Sequence, residues 1–344
     1  MKYNVAIIGC GAIFKNHLSA INENSHQFNL AAICDIKKDI VDMHIKDLNN
    51  VDGYTDYRSC VKRKDINFVV IATPNSLHFD QAIEALKNNC DVLIEKPSTF
   101  TTREIETIIS VAKKHEQKAY CVLQVRLNET VNLIRNVMSN GDLGIIRGFS
   151  LVQRWQRPKS YFTGWRNIPQ VGGGTLYEVG IHYLDILQQL LGMPKSVVST
   201  RLYNTKHHEA NVEDTVYSIL DYENFGGTIE ITVSAEPRNI ECSIQLIGSN
   251  GYLKLGGKAL NEISEFEFLD EKTQKKFKKD LLASKSKIEE NNNFNKYGTH
   301  LGSCPNHAGV YRNLDSFAIE ETINVIQLIE SIYNKAGISY TSEI

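Results

Sequence analysis

Val5-Ala6-Ile7-Ile8 is an unbroken apolar run, the pattern of a strand covered on both faces of a parallel sheet. Comparable runs recur at residues 30–34, 68–72, 92–94 and 119–123, and the stretches 76–86 and 103–114 between them read as helices. This alternation predicts a parallel sheet joined by right-handed crossovers. After about residue 125 the rhythm changes. Residues 145–156, 196–203, 215–222, 227–234, 241–247 and 252–255 are strand-like and separated by turn residues, among them Ser249-Asn250-Gly251. With no helix between most of them, they predict a mostly antiparallel sheet, covered by helices at about 176–191 and 313–336. The Asn-rich stretch 289–297 reads as a mobile loop, and there is no internal repeat. The expected fold is an α/β domain over 1–125, followed by an α+β domain with a large, mostly antiparallel sheet over 126–344.

At 344 residues the chain exceeds what one core usually supports, which agrees with two domains. Acids and bases are interspersed and sum to a net charge of −2, which argues against a nucleic-acid surface. The lysine-rich stretch from Lys272 to Lys287 is interrupted by acids and reads as a solvated face. No run approaches the ~20 apolar residues of a membrane span. Met1-Lys2-Tyr3 leads straight into the first strand, so no signal peptide is expected and the reading is cytoplasmic. The seven cysteines are odd in number, form no Cys-x-x-Cys pair and sit mostly in apolar runs, as reduced core thiols do; Cys304, in a polar stretch, is the exception.

The chemistry begins where the first run ends. Gly9-Cys10-Gly11 allows a tight turn and a close backbone approach to a pyrophosphate, which then rests on the N–H groups of a helix starting near Ala12. The second run ends in Asp35, near the ~20-residue offset at which an acid accepts hydrogen bonds from an adenosine ribose. An acid there repels a 2′-phosphate, favouring NAD over NADP. The third glycine position is Phe14, whose ring must tilt the helix or point away from the strand. These features read as a dinucleotide-binding Rossmann domain. The later strands end in Thr73-Pro74-Asn75, Glu95-Lys96-Pro97 and Gln124-Val125-Arg126, three motifs expected to face one crevice. The cofactor candidates are thus Gly9, Gly11, Ala12, Ile13, Asp35, Thr73, Asn75, His78, Glu95, Lys96 and Gln124. No metal site is expected.

Ala72-Thr73-Pro74-Asn75 with His78, then Glu95-Lys96-Pro97, then Gly172-Gly173-Gly174 leading into Gly180-x-His182-x-x-Asp185, resembles the glucose-fructose oxidoreductase, inositol dehydrogenase and rhizopine catabolism family, Gfo/Idh/MocA. Within it, the stretch 124–128, Gly164-Trp165-Arg166 and Pro305-Asn306-His307 with Tyr311 resemble the branch that oxidises UDP-N-acetylglucosaminuronic acid at C3 for surface polysaccharides. The resemblance implies homodimers or homotetramers, and places Trp165 and Arg166 near the nicotinamide.

Oxidising a secondary alcohol requires a hydride acceptor and a base for the hydroxyl proton, both near contact. Lys96, at a strand end, is placed to stabilise a developing alkoxide. His182 titrates near neutrality and suits the proton acceptor. Glu178 precedes it by one helical turn and orients it, binds a substrate hydroxyl, or pairs with a lysine. Asp185 orients the imidazole or is structural. Lys96, His182 and Glu178 are the catalytic candidates. Arg126, Arg166 and His307 are cations suited to a carboxylate or pyrophosphate, while Arg166 alternatively meets a carboxylate of its own chain or the cofactor. Tyr161, Tyr177 and Tyr311 are candidates to stack on or bond to a sugar. The substrate-binding set is Lys96, Arg126, Tyr161, Glu178, His182, Asn306, His307 and Tyr311. A nucleotide-sugar dehydrogenase leads; a dehydrogenase of free inositol or simple sugars, and a non-catalytic NAD-binding regulator, are the alternatives.

Overall fold

The computed structural model describes residues 2–297 and 306–340. Its first sheet is six-stranded and parallel, built from β1 (Tyr3–Ile8), β2 (Phe28–Cys34), β3 (Asp52–Tyr54), β4 (Phe68–Ile71), β5 (Asp91–Ile94) and β6 (Ala119–Cys121) in the order β3-β2-β1-β4-β5-β6. Between the strands run α1 (Phe14–Glu23), α2 (Lys38–Ile45), α3 (Tyr57–Val61), α4 (His78–Lys87) and α5 (Thr102–Lys114). The strand order reverses between β1 and β4, the point in an open α/β sheet outside whose carboxyl ends ligands bind.

Gly9 sets the turn at that point. It takes φ +99°, and a Cβ on it would lie 2.3 Å from the Ala72 carbonyl oxygen, so only glycine lets β1 turn against β4. The turn takes more chain than expected, and α1 begins at Phe14 rather than near Ala12. The Phe14 ring is fully buried with its centroid 4.4 Å from that of His44 on α2. It is thus directed at a neighbouring helix.

The second sheet has seven strands, β7 (Ile146–Arg154), β8 (Ser196–Tyr203), β9 (Thr215–Asp221), β10 (Gly226–Thr232), β11 (Glu241–Gly248), β12 (Gly251–Gly256) and β13 (Glu262–Phe268), in the order β13-β12-β11-β7-β10-β9-β8. Its neighbours pair antiparallel except β7 and β10. The helices of this half are α6 (Glu129–Ser139), α7 (Pro169–Gly172), α8 (Ile181–Leu191), α9 (Glu271–Ala283), α10 (Lys285–Tyr297), α11 (His307–Arg312) and α12 (Ile323–Lys335). Nearly every side chain of α8 is buried, because α12 packs along it and the sheet lies beneath.

Two expectations are corrected. The stretch 289–297 is the second half of α10, not a loop: it contains no Gly or Pro, and the Ser284 hydroxyl just before the helix bonds Glu129 of α6 at 2.8 Å. The helix expected over 313–336 begins at Ile323, since residues 314–322 form two 3₁₀ turns around an antiparallel bridge between Tyr120 and Ala318. α11 returns to pack on α1, where Asn24 Nδ2 bonds the Ala308 carbonyl at 3.2 Å and Tyr311 meets Phe28 at 5.0 Å. Six cysteines are buried free thiols, and Cys304 lies outside the described residues.

Candidate active site

The cofactor end is built from backbone. A Cβ on Gly11 would meet nothing within 4 Å, so the turn faces open space. α1 begins there with no side-chain cap and no acid in its first turn, leaving its leading N–H groups, near Ala12 and Ile13, to an external anion. Asp35 ties the turn to β2, since its carboxylate accepts the N–H of Cys10 and that of Lys37, each at 3.0 Å. These residues fit a bound dinucleotide. His78 lies between the carbonyl oxygens of Pro97 at 2.7 Å and Thr73 at 3.0 Å, bracing two strand ends. Burial lowers its pKa, against the two carbonyl contacts that raise it.

The reacting end gathers around Glu178. Lys96 Nζ donates to the Glu178 carbonyl at 2.7 Å. The Glu178 carboxylate accepts from Asn75 Nδ2 at 2.7 Å, Arg166 Nε at 2.9 Å and the Tyr161 hydroxyl at 3.2 Å. Asn75 also holds the Gly172 carbonyl at 2.8 Å, and the Arg166 guanidinium lies over the Trp165 and Tyr161 rings at 4.4 and 5.0 Å. Burial alone would raise the Glu178 pKa; the charges of Lys96 and Arg166, with the bonds from Asn75 and Arg166, outweigh it and hold the group anionic.

Glu178 does not spend its carboxylate on His182, although four residues separate them. Residues Leu176–Gly180 form a π turn, wider than an α turn, which rotates Glu178 away from the α8 face. The His182 ring is buried, and its Nδ1 has no hydrogen-bond partner among the described residues. Burial first, then the Lys96 charge, lowers its pKa to about 3. It is therefore a neutral imidazole. Gln124 Oε1 is likewise buried without a partner among the described residues.

The glycine run before this turn is fixed by contact. Gly173 and Gly174 both take φ +80°; a Cβ on Gly173 would strike the Phe100 ring at 2.4 Å, and one on Gly174 the Tyr333 hydroxyl at 2.6 Å. Tyr177, read as a possible sugar contact, instead donates its hydroxyl to the Phe100 carbonyl at 2.6 Å in the core.

Four candidate substrate residues have side chains engaged by other groups of the chain. Arg126 is clamped on Asp185, Nε to Oδ2 and Nη2 to Oδ1 both at 2.7 Å, which also assigns Asp185 a partner other than His182. With its side chain 7% exposed, Arg126 has no face left for a substrate anion. His307 turns its Nε2 to Glu95 Oε1 at 3.0 Å. Tyr311 is buried against Phe28 and Phe68 with its hydroxyl 3.0 Å from His17 Nδ1. Asn306 caps α11, accepting the Gly309 N–H at 2.9 Å. Glu95 itself turns to His17 and His307. His17, absent from the sequence reading, is a histidine on the buried face of α1, which was its only signal.

Residues 3–123 match the NAD-binding Rossmann fold of the GFO/IDH/MocA oxidoreductase family, and residues 131–254 match the GFO/IDH/MocA C-terminal domain. The chain belongs to that family, and its first domain is an NAD-binding domain. Among curated relatives, scyllo-inositol 2-dehydrogenase (NADP(+)) IolW of Bacillus subtilis is 28% identical over 48% of this chain and 46% of its own length. D-glucoside 3-dehydrogenase of Escherichia coli is 24% identical over 64% and 67% respectively. The matched region thus spans about half to two thirds of these relatives. Among solved structures, the WlbA dehydrogenase of Chromobacterium violaceum in complex with NADH and UDP-GlcNAcA superposes with a TM-score of 0.84 at 24% identity, covering 98% of this chain and 94% of that one. The WlbA dehydrogenase of Bordetella pertussis gives 0.81 at 24%, covering 98% of each. At these identities the likeness is one of fold.

Proposed function

We propose that this chain is an NAD-dependent dehydrogenase of a nucleotide-linked sugar, acting on a secondary hydroxyl, with C3 of UDP-N-acetylglucosaminuronic acid as the leading substrate in surface-polysaccharide synthesis in the cytoplasm. The observation that carries this reading is the meeting of Lys96 Nζ, held on the Glu178 carbonyl, with a buried neutral His182 at the carboxyl end of the sheet. Bound NAD supplies the hydride acceptor. His182 takes the hydroxyl proton on a ring nitrogen that the fold leaves uncharged. Lys96 exchanges its carbonyl partner for the substrate oxygen and stabilises the alkoxide as it forms. Glu178 keeps Arg166 and Tyr161 at the rim, where a polar substrate group would meet them. Support for the nucleotide sugar comes from WlbA proteins, which share the fold over 98% of this chain and were solved with UDP-GlcNAcA.

A second reading, a dehydrogenase of free inositol or simple sugars, is favoured by the names of the relatives and by the loss of Arg126 and His307 as anion binders. A thermal-shift screen with NADH against UDP-sugars, free sugars and inositols separates the two, because a ligand stabilises the fold according to its occupancy. NAD reduction is then followed with each hit. Stabilisation and turnover with UDP-N-acetylglucosaminuronic acid support the first reading. Response to inositols alone overturns it. We further propose a homodimer or homotetramer, formed through the open face of the second sheet.

A further inference from the structure

Glu95 lies beside the catalytic lysine, and its two oxygens are divided between two tasks. Oε1 accepts from His17 Nε2 at 3.1 Å and His307 Nε2 at 3.0 Å, and Oε2 accepts the backbone N–H of Lys96 at 3.2 Å. With Nε2 of His17 donating, its Nδ1 accepts from the Tyr311 hydroxyl at 3.0 Å, which closes the network. His17 and Tyr311 are at most 1% exposed, His307 2% and Glu95 8%. Three elements distant in sequence, α1, the end of β5 and α11, therefore converge on one carboxylate. A carboxylate that deep is costly to bury, and only bonds and charges of this kind offset the cost.

We propose that Glu95, clamped by His17 and His307, is the positioning residue of the active site. It fixes the backbone from which Lys96 reaches, and it places a negative charge where the Lys96 ammonium would otherwise face His182 unopposed. The proposal rests on the reading of Lys96 and His182 given above. The charged and titratable groups around His182 are Lys96 and Glu95 from the end of β5, His307 from α11 and Arg126 after β6; of these, Glu95 is the anion. Removing it disfavours every protonated state of the imidazole. The clamp also makes α11 part of the catalytic unit, joining the cofactor helix α1 to the lysine that acts beside the cofactor.

Glu95→Gln keeps the shape and removes the charge, His307→Ala removes one donor, and His307→Gln restores an amide donor near the position of Nε2. With NAD and whichever sugar of the screen supports its reduction, Glu95→Gln and His307→Ala are expected to lower kcat at least about tenfold, against the about 10²–10⁴-fold contribution of a positioned base. Affinity for NADH, followed by fluorescence titration, is expected to change less than about threefold, a split between chemistry and binding that a general structural defect would not give. In Glu95→Gln the acid limb of the pH–rate profile moves to lower pH, and His307→Gln recovers most of the loss. Should Glu95→Gln not fold by circular dichroism, the His307 pair decides alone. Unchanged kcat and pH profile in a folded variant overturn the clamp, as does a loss confined to NADH affinity. The donor atoms of His17, Glu95 and His307 also lie within 4.8 Å of one another, a spacing that accepts a divalent metal. Stoichiometric metal by mass spectrometry, lost in His307→Ala, overturns the proposal too. If Lys96→Ala and His182→Asn retain turnover, or no sugar is oxidised, the functional reading fails; if those variants fail while Glu95→Gln works, the clamp alone does.

Discussion

His182 is kept a neutral base by its surroundings, with no partner on Nδ1 among the described residues and with burial and Lys96 both opposing its protonation. A group of this kind contributes where the proton is in flight, so Lys96→Ala and His182→Asn are expected to lower kcat by about 10²–10⁴-fold while substrate affinity changes little. Steady-state kinetics with the identified sugar check this, and near-normal turnover in His182→Asn makes the histidine structural. Asp35 gives a second prediction at this scale. Its carboxylate stands at the end of β2 where a 2′-phosphate would approach, so the protein prefers NAD and Asp35→Ser narrows that preference. Equal or tighter binding of NADP by the unaltered protein refutes the assignment. Lys96 and Asn75 follow strand ends that the apolar runs mark in the sequence, and the structure brings them together with Arg166, Tyr161 and Glu178. For Arg126 and His307 a sequence shows a charge but not the fold-distant group that meets it: Asp185 for Arg126, Glu95 for His307.

The turn of chain before α8 is the element on which the site hangs, and it is held from behind by Glu213. Oε1 of Glu213 accepts the Thr175 N–H at 2.7 Å and the Tyr333 hydroxyl at 2.6 Å, linking that turn to α12. Burial raises the Glu213 pKa from 4.5 to about 7, outweighing those two bonds. Between these values the folded chain holds a proton on Glu213 that the unfolded chain has released, so this group's contribution to stability falls as pH rises from about 4.5 to about 7. Glu213→Gln keeps an oxygen for both donors and removes the ionisation. It is expected to melt higher than the unaltered protein at pH 8, by at most about 3 kcal/mol, with the gap closing toward pH 5. Equal melting temperatures across that range contradict the assignment. Most elements were legible because apolar runs mark buried strands and turn residues mark their ends. The π turn was not, since its residues suit an α-helix equally. β13 and α10 escaped for a related reason: both are largely polar and take their form from the elements they lie against.

Across the molecule, three buried histidines, His17, His78 and His182, have pKa values lowered chiefly by burial. Each protonates near 6.5 when unfolded but resists it when folded, so their contribution is lost as pH falls below about 6.5, opposite in sign to that of Glu213, and melts of Glu213→Gln at pH 7 and pH 5 should show it. The second sheet presents the other whole-molecule question. α8 and α12 cover one face, and along β9 the opposite face alternates outward with Tyr217 and Ile219, 45% and 46% exposed. Ile247 on β11 is equally exposed, and between these lie the pairs Arg154–Glu230 and Lys254–Glu241. Apolar positions interleaved with charges of both signs on a flat sheet suit a self-complementary contact, in which each copy meets the same patch on another. The protein is therefore expected to be a dimer or tetramer by light scattering at micromolar concentration. A Tyr217→Asp, Ile219→Lys double variant, which buries unpaired charges in such a contact, should shift toward the monomer while keeping its circular dichroism spectrum. A monomeric unaltered protein, or a double variant of unchanged mass, would show that this face is solvated and that assembly, if any, uses another surface.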